Sequence, residues 1–323
     1  MSNRDLGGRA IRRARLIRSR LASRYIVNLG SADPDIIFIA GTGRSGTTWL
    51  AELLARRTRR RVIFEPFRND RVPEWGGAQR RQYIRPDDRA SAFLEPARKI
   101  LDPDFRNEWA DSYNERFFTR GRIVKDIRAN LMLRWLYEHL GPFPIIFLIR
   151  NPGAVATSWL RAGWTFSPAD DFLCQNALVE DYLSALRNEI ASARGVLERA
   201  VYTWAVETSV ALSQFRPSEI LVVFYEQLLL DPSVEFARID AYLGGKLAPL
   251  VGSSSERPSA TATPNVAYRS QMDRLNAWQE VLTEHETDRV YGVVSQFELD
   301  QLYSREGLPL LDADELPNPV PSS

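Results

Sequence analysis

A glycine-rich turn set between an apolar strand and an amphipathic helix limits this chain more than any other feature. Asp35 to Ala40 (DIIFIA) is short, apolar and β-branched, with Pro34 before it and Gly41 and Gly43 after it, the pattern of a buried strand. From Thr47 the spacing of Trp49, Leu50, Leu53 and Leu54 marks one face of a helix. Between them runs Gly41-Thr-Gly-Arg-Ser-Gly46-Thr47-Thr48-Trp49. Glycines let the backbone turn tightly and approach a ligand, and the first helical amides, unpaired and at the positive end of the dipole, converge on an anion. Phosphate is the expected guest. A nucleotide triphosphatase loop would place lysine directly after the second glycine. Thr47 stands there instead and the positive charge sits inside the loop at Arg44, which disfavours magnesium-dependent phosphoryl transfer.

Strand patterns recur at Val62 to Phe64, Arg122 to Val124, Pro144 to Ile149 (PIIFLI) and Glu219 to Phe224 (EILVVF). Helical patterns separate them, among them Asn130 to His139 and Val179 to Phe215. Continuous apolar strands alternating with amphipathic helices predict an α/β fold of three layers, with a central parallel sheet, a P-loop-like nucleotide-binding core and helical insertions. With 323 residues, 44% of them hydrophobic, the chain suits one elaborated domain. Residues 31–300 are expected to form it, between a basic arm at 1–30 and a tail at 301–323. Asp70 to Arg120 has no clean period and suits acceptor-specific insertions, while Gly252 to Pro264 (GSSSERPSATATP) predicts a flexible loop that orders on cofactor binding.

Composition excludes several chemistries. The net charge is +1, so bulk charge does not argue for nucleic acid, and any anion site must be local. The single cysteine, Cys174, excludes an internal disulfide and has no basic partner nearby in sequence. Two histidines, His139 and His285, are too few for a histidine-rich metal centre, and no metal is expected. No apolar run is long enough to span a bilayer and no secretory signal is recognisable, so a cytoplasmic location is expected. Arg4 to Arg24 interleaves arginines with Ile11, Leu16, Ile17 and Leu21, either a solvated arm or a basic helix in weak contact with a membrane surface.

A second anion site is readable at Ile145 to Trp159 (IIFLIRNPGAVATSW). The strand ends at Arg150, Asn151 can cap the next helix, and Pro152 suits its first turn. Arg150 thus stands at the carboxyl end of a strand, where open α/β sheets bind ligands. Ser158, eight positions on, can reach the same anion. Together these two segments resemble the PAPS-dependent sulfotransferase family. The resemblance implies that Arg44, Ser45, Gly46, Thr47 and Thr48 hold the 5′-phosphosulfate of 3′-phosphoadenosine 5′-phosphosulfate (PAPS), and that Arg150 and Ser158 hold its 3′-phosphate. It implies further that Trp49 packs on adenine, a position it can equally hold as a core residue. Val222 to Pro232 (VVFYEQLLLDP) is similar to the family segment whose tyrosine approaches the adenine edge, here Tyr225. Arg269 is the expected late basic residue, although the Arg-Lys-Gly pattern of cytosolic members is absent.

Sulfuryl transfer needs in-line attack, a base and cations near the leaving oxygen. Arg44 and Lys125 are the candidate cations, Lys125 matching a family lysine near the transferring group. Cytosolic members carry a catalytic histidine two residues later, where this chain has Ile127. The resemblance therefore shifts to the carbohydrate, tyrosine-protein and bacterial glycolipid branches, in which a glutamate at the second strand serves as base. Glu65, in Ile63-Phe64-Glu65-Pro66-Phe67, matches it, an ion pair with a nearby arginine being its alternative role; Asp126 stands in reserve, and Arg128 is placed either for substrate or loop contact or to cap a local charge. The acceptor is expected to be a small molecule, glycan or lipid carrying a hydroxyl or amine. A nucleotide kinase or a non-catalytic nucleotide-binding module are the competing readings, and PAP (3′-phosphoadenosine 5′-phosphate) is the expected product.

Overall fold

Besides the short helices Asn176–Leu178 and Arg187–Ser192, seven strands and nine principal helices organise the described residues. They are β1 (Val27–Asn28), β2 (Ile36–Ala40), α1 (Thr47–Thr58), β3 (Arg61–Phe64), α2 (Leu94–Ile100), β4 (Phe118–Thr119), β5 (Arg122–Lys125) and α3 (Leu133–Leu140). After these come β6 (Ile145–Ile149), α4 (Pro152–Arg161), α5 (Gly195–Ser213), β7 (Leu221–Phe224), α6 (Tyr225–Leu230), α7 (Pro232–Tyr242), α8 (Gln271–Asn276) and α9 (Glu284–Gln296), with short helical turns between α4 and α5. The computed structural model describes residues 24–30, 35–89, 91–114, 116–216, 218–245, 247–248 and 270–311.

Five strands form one parallel sheet in the order β3-β5-β2-β6-β7, and β1 pairs with β4 in a separate short ladder. Every residue of the five strands is buried. Alternation assigns the two faces: Phe38 and Ala40 pack into one core with Trp135 and Trp159, whereas Ile37 and Ile39 pack into the other with Leu50 and Leu54 of α1. A sheet covered on both faces explains why its strands read as unbroken apolar runs. From β2 the chain moves outward to β3, returns to β5, then crosses to β6 and β7 on the other side. The crevice where neighbouring strands leave in opposite directions lies at the carboxyl end of β2, the place where such sheets bind ligands.

The five strands of the sheet stand where the sequence pattern puts them, within two residues at either end, while the short β1 and β4 carry no such pattern. The single long helix expected over Val179 to Phe215 is instead broken. Helix Arg187–Ser192 stops at Ala193, whose ψ of 122° is extended, and α5 restarts at Gly195 with φ +73°. The apolar period runs through this break, so periodicity alone hides it, whereas Gly195 is the residue that permits the turn.

Candidate active site

Register aligns the strand ends into one row. Phe64 and Ile39 both pair with Lys125, Ala40 pairs with Phe147, and Ile149 pairs with Phe224. Consequently Glu65, Lys125, Gly41, Arg150 and Tyr225 each close or directly follow a strand on the same edge of the sheet. The sequence spaces these residues over 185 positions, from Gly41 to Tyr225. Parallel pairing alone gathers them.

The loop after β2 is fixed by its own backbone. Arg44 at φ +69° and Gly46 at φ +98° are both left-handed, and Gly46 leads into α1 without a side-chain cap. Successive amides in such a turn form a concavity for an anion, set on the positive end of α1. Close approach explains the glycines. A Cβ on Gly41 would lie 2.3 Å from the Leu148 carbonyl oxygen, and one on Gly46 would lie 2.7 Å from the Tyr225 ring. Thr42 Oγ1 and Ser45 Oγ share a hydrogen bond of 2.6 Å, and the Gly41 amide donates to Asn130 Oδ1 at 3.1 Å. On the outer side Trp164 and Ile127 crowd Gly43.

Arg44 and the Arg150/Ser158 pair, expected at opposite ends of one ligand, form a single corner. Arg44 Nε donates to Ser158 Oγ at 3.0 Å, and Arg150 Nη1 donates to the Arg44 carbonyl oxygen at 3.1 Å. The Arg150 guanidinium lies 4.4 Å from the centroid of Tyr225, which Trp49 meets edge-on at 6.3 Å. Trp49 is thus both a core residue and a wall of this corner. Its indole N–H and Arg150 Nε are buried without a hydrogen-bond partner, an arrangement suited to a ligand's acceptors. The residues present fit a phosphorylated nucleotide: amides and hydroxyls at the loop, guanidinium groups and an aromatic ring beside it.

A buried polar network holds this corner from below. Asn151 caps α4 by accepting from Ala154 N, and its own amide donates to Glu226 Oε1 at 3.0 Å. Tyr303 OH donates to Glu226 Oε2 at 2.9 Å, Asn151 Nδ2 donates to Tyr291 OH at 3.1 Å, and Tyr291 OH donates to the Ser304 carbonyl at 2.6 Å. Burial pushes the Glu226 carboxyl up, opposed by the Asn151 amide and the charge of Arg150. Trp204 of α5 donates its indole N–H to the Arg150 carbonyl at 3.1 Å. The backbone that carries Arg150 is therefore fixed from three directions.

At the other end of the row Lys125 Nζ donates to Glu65 Oε1 at 2.7 Å, with both side chains buried. Glu65 sits at φ +43°, a conformation costly for a residue with a side chain and characteristic of functional positions. Its amide donates to the Lys125 carbonyl at 2.7 Å, so the ladder itself imposes the conformation. Lys125 also lies 4.6 Å over the Phe64 ring, which stacks on Tyr113 at 4.0 Å. Asp126 is completely buried and spends its oxygens on backbone: Oδ2 accepts from Phe67 N, and Oδ1 accepts from Arg128 N and Ala129 N. That arrangement fixes the segment carrying Glu65 against the segment carrying Arg128.

Burial, aided by the neighbouring charge of Glu65, pushes the Asp126 carboxyl up to about 6. A carboxyl raised in the folded state favours folding when protonated. Its contribution is full below the ordinary value of 3.8 and is lost as pH rises through about 6. Denaturant unfolding between pH 4 and pH 7 is therefore expected to show a downward slope in wild-type stability that the Asp126→Asn variant lacks; parallel curves for the two proteins would reject this assignment.

A family model described as the sulfotransferase family matches residues 34–249, more than half of the chain. The chain belongs to the sulfotransferase family. Among curated proteins none matches. Among solved structures it is similar to a sulfotransferase domain from the curacin biosynthetic pathway, at 17% identity and a TM-score of 0.45, covering 84% of this chain and 99% of that one. It is also similar to mouse sulfotransferase SULT7A1 complexed with PAP, at 16% identity and a TM-score of 0.42, covering 82% and 86%. A third similar structure is a sulfotransferase from Alicyclobacillus acidocaldarius, at 15% identity and a TM-score of 0.35, covering 80% and 95%.

Two residues beside this candidate site escape sequence reasoning. Arg274, on α8, lies 5.8 Å over the outer part of the Tyr225 corner, measured to the ring centroid. Arg269, the late basic residue expected from the sequence, and the loop Gly252 to Pro264 lie outside the described residues. No motif marks Arg274; only its position, five residues beyond Arg269, is available as a signal. Asn130 is the second omission, because a lone asparagine entering a helical pattern carries no sign that it will hold Gly41.

Proposed function

We propose that this sulfotransferase uses Glu65 as general base and Lys125 as the cation beside the transferring group, with Arg44, Arg150 and Ser158 as the anchor of PAPS. The observation that carries this reading is the row of strand ends, with the Glu65/Lys125 pair at one side, the arginine corner at the other and the glycine turn between them. In the reaction a bond forms between the acceptor oxygen and sulfur while the bond from sulfur to the 5′-phosphate oxygen breaks. The acceptor proton passes to Glu65, and PAP leaves with the bonding electron pair. As PAPS enters, Lys125 turns from Glu65 toward the bridging oxygen, which frees the carboxylate to accept the proton and neutralises charge on the leaving group. Ser45, Gly46, Thr47 and Thr48 line the 5′ end, and Trp49 and Tyr225 border the base.

Arg274 and Arg269 are assigned to the same nucleotide from the outer side. The acceptor is a small molecule, and within that class a glycan or lipid hydroxyl suits the branch that uses a carboxylate base. The arm before Arg24 lies outside the described residues, and weak membrane contact is assigned to it from its arginine pattern alone. Among the described residues no helix is long and apolar enough to cross a membrane.

Thermal unfolding tests the nucleotide assignment. PAP at a hundred times its dissociation constant stabilises a protein that binds it only when folded by about 2.7 kcal/mol, a shift of several degrees, whereas ATP with magnesium is expected to leave the transition unmoved. A shift with ATP and none with PAP would overturn the reading. Arg150→Ala is expected to remove the PAP shift, because the guanidinium supplies a charge-assisted hydrogen bond that no neighbour replaces.

A further inference from the structure

Past Glu65 the acceptor side of the site carries more cations than the fold itself uses. Arg128 follows Asp126 in the turn after β5, and its Nε is buried without a partner. Arg80 belongs to the irregular segment before α2 and is exposed. Arg80 feels the charge of Arg128, Arg128 feels Glu65 and Asp126, and both arginines feel Arg81. Neither guanidinium forms a hydrogen bond or ion pair with a described residue.

The carboxylates within reach are already engaged. Glu65 is held by Lys125, and Asp126 by three backbone amides. Asp171 and Glu207 both bind Arg81, the first at 2.9 Å, and Asp70 takes Arg68 at 2.8 Å. A buried guanidinium normally finds an acceptor, because leaving its donors bare costs the full desolvation of the group. Arg128 beside the base, with Arg80 close enough to feel its charge and the nearby carboxylates each already bound to another cation or to backbone amides, is suited to an anion from outside the protein. The donor nucleotide is anchored on the opposite side of Gly41, where Arg44 and Arg150 stand. Trp164 and Ile127, crowding Gly43, are apolar and offer no acceptor there.

We propose that Arg80 and Arg128 bind an anionic substituent of the acceptor, so that the substrates are hydroxyl compounds bearing a carboxylate or phosphate close to the reacting oxygen. This inference rests on the assignment of Glu65 as the base and adds the class of molecule it serves. Arg128, the nearer to Glu65, orients the acceptor, and Arg80 at the mouth selects it from solvent. Long-range attraction by the exposed arginine weakens with added salt, while the contact made by Arg128 is screened less.

Matched pairs of acceptors test this on the protein saturated with PAP: 4-methylphenol against 4-hydroxyphenylacetate, methyl glucoside against glucuronate, and glycerol against glycerol 3-phosphate. Calorimetry measures binding, and labelled PAPS in place of PAP measures transfer. The anionic member of at least one pair is expected to bind about tenfold or more tightly than its neutral partner, and whether that member is a carboxylate or the phosphate separates the two anion classes. Arg128→Gln and Arg80→Gln are expected to erase that preference while PAP affinity stays as in wild type, which also reports that both variants are folded. Equal binding of neutral and anionic partners, a preference that survives both substitutions, or no binding by any anionic probe would overturn the inference while leaving the donor site standing. Failure of the wild-type protein to bind PAP would instead overturn the donor reading, and this one with it.

Discussion

Replacing Glu65 with Gln is expected to lower the rate of sulfuryl transfer by about 10²- to 10⁴-fold, the usual contribution of a positioned general base, with PAP affinity changed by no more than a few-fold. The substitution isolates the proton acceptor. The glutamine carbonyl still accepts from Lys125 Nζ, so the buried ammonium keeps a hydrogen bond, and the backbone at φ +43° is unaltered. Breaking a buried ion pair by deleting one partner outright costs about 3–5 kcal/mol, which is why Glu65→Ala would confound folding with chemistry. Steady-state transfer with labelled PAPS, beside a PAP titration, checks both halves. Unchanged turnover would end the role assigned to Glu65. A loss of PAP binding equal to the loss of rate would show that Glu65 acts on the nucleotide instead.

Gly46→Ala is expected to weaken PAP binding by about 10- to 100-fold through geometry alone. A left-handed backbone costs a residue with a Cβ about 1–2 kcal/mol. Here the new methyl would also lie 2.7 Å from the Tyr225 ring, which stands under Arg150 and beside Trp49. The ring must shift, and the guanidinium above it with it. Gly163→Ala supplies the control, because Gly163 is equally left-handed at φ +69° yet has open space around its Cβ position. That variant should lose stability but bind PAP as wild type does. Equal PAP affinity in the two variants would remove the Tyr225 contact from the account of the loop.

Both variants act on residues that the sequence exposes for physical reasons. Strands buried on two faces are mostly apolar, so β2, β6 and β7 stand out from their surroundings as unbroken apolar runs, and the close approaches at Gly41 and Gly46 need glycine. Residues that follow a strand directly, such as Glu65, Arg150 and Tyr225, inherit their positions from the sheet. What stays hidden depends on contacts between distant segments. The hydrogen bond from Arg44 to Ser158 spans 114 positions and merges two sites that the sequence keeps apart. Arg61 and Arg122 each open a strand with a charged residue, yet both are buried: Arg61 forms a two-pronged pair with Asp111, and Arg122 binds Asp35 and the Leu101 carbonyl. Arg274 lacks any pattern of its own, and the helix break at Gly195 lies inside an apolar period that continues across it.

The network beneath Arg150 also sets an order of assembly. Glu226 finds one of its two donors on Tyr303, and Tyr291 rests on the carbonyl of Ser304, so the foundation of the nucleotide corner reaches almost twenty residues past the start of α9. A nascent chain that has emerged only as far as α6 already holds all five strands of the sheet and the turns that follow β2 and β6. Its Glu226 still lacks a phenol. During synthesis from the ribosome, then, the buried network under the proposed donor corner cannot close until Tyr303 and Ser304 have emerged.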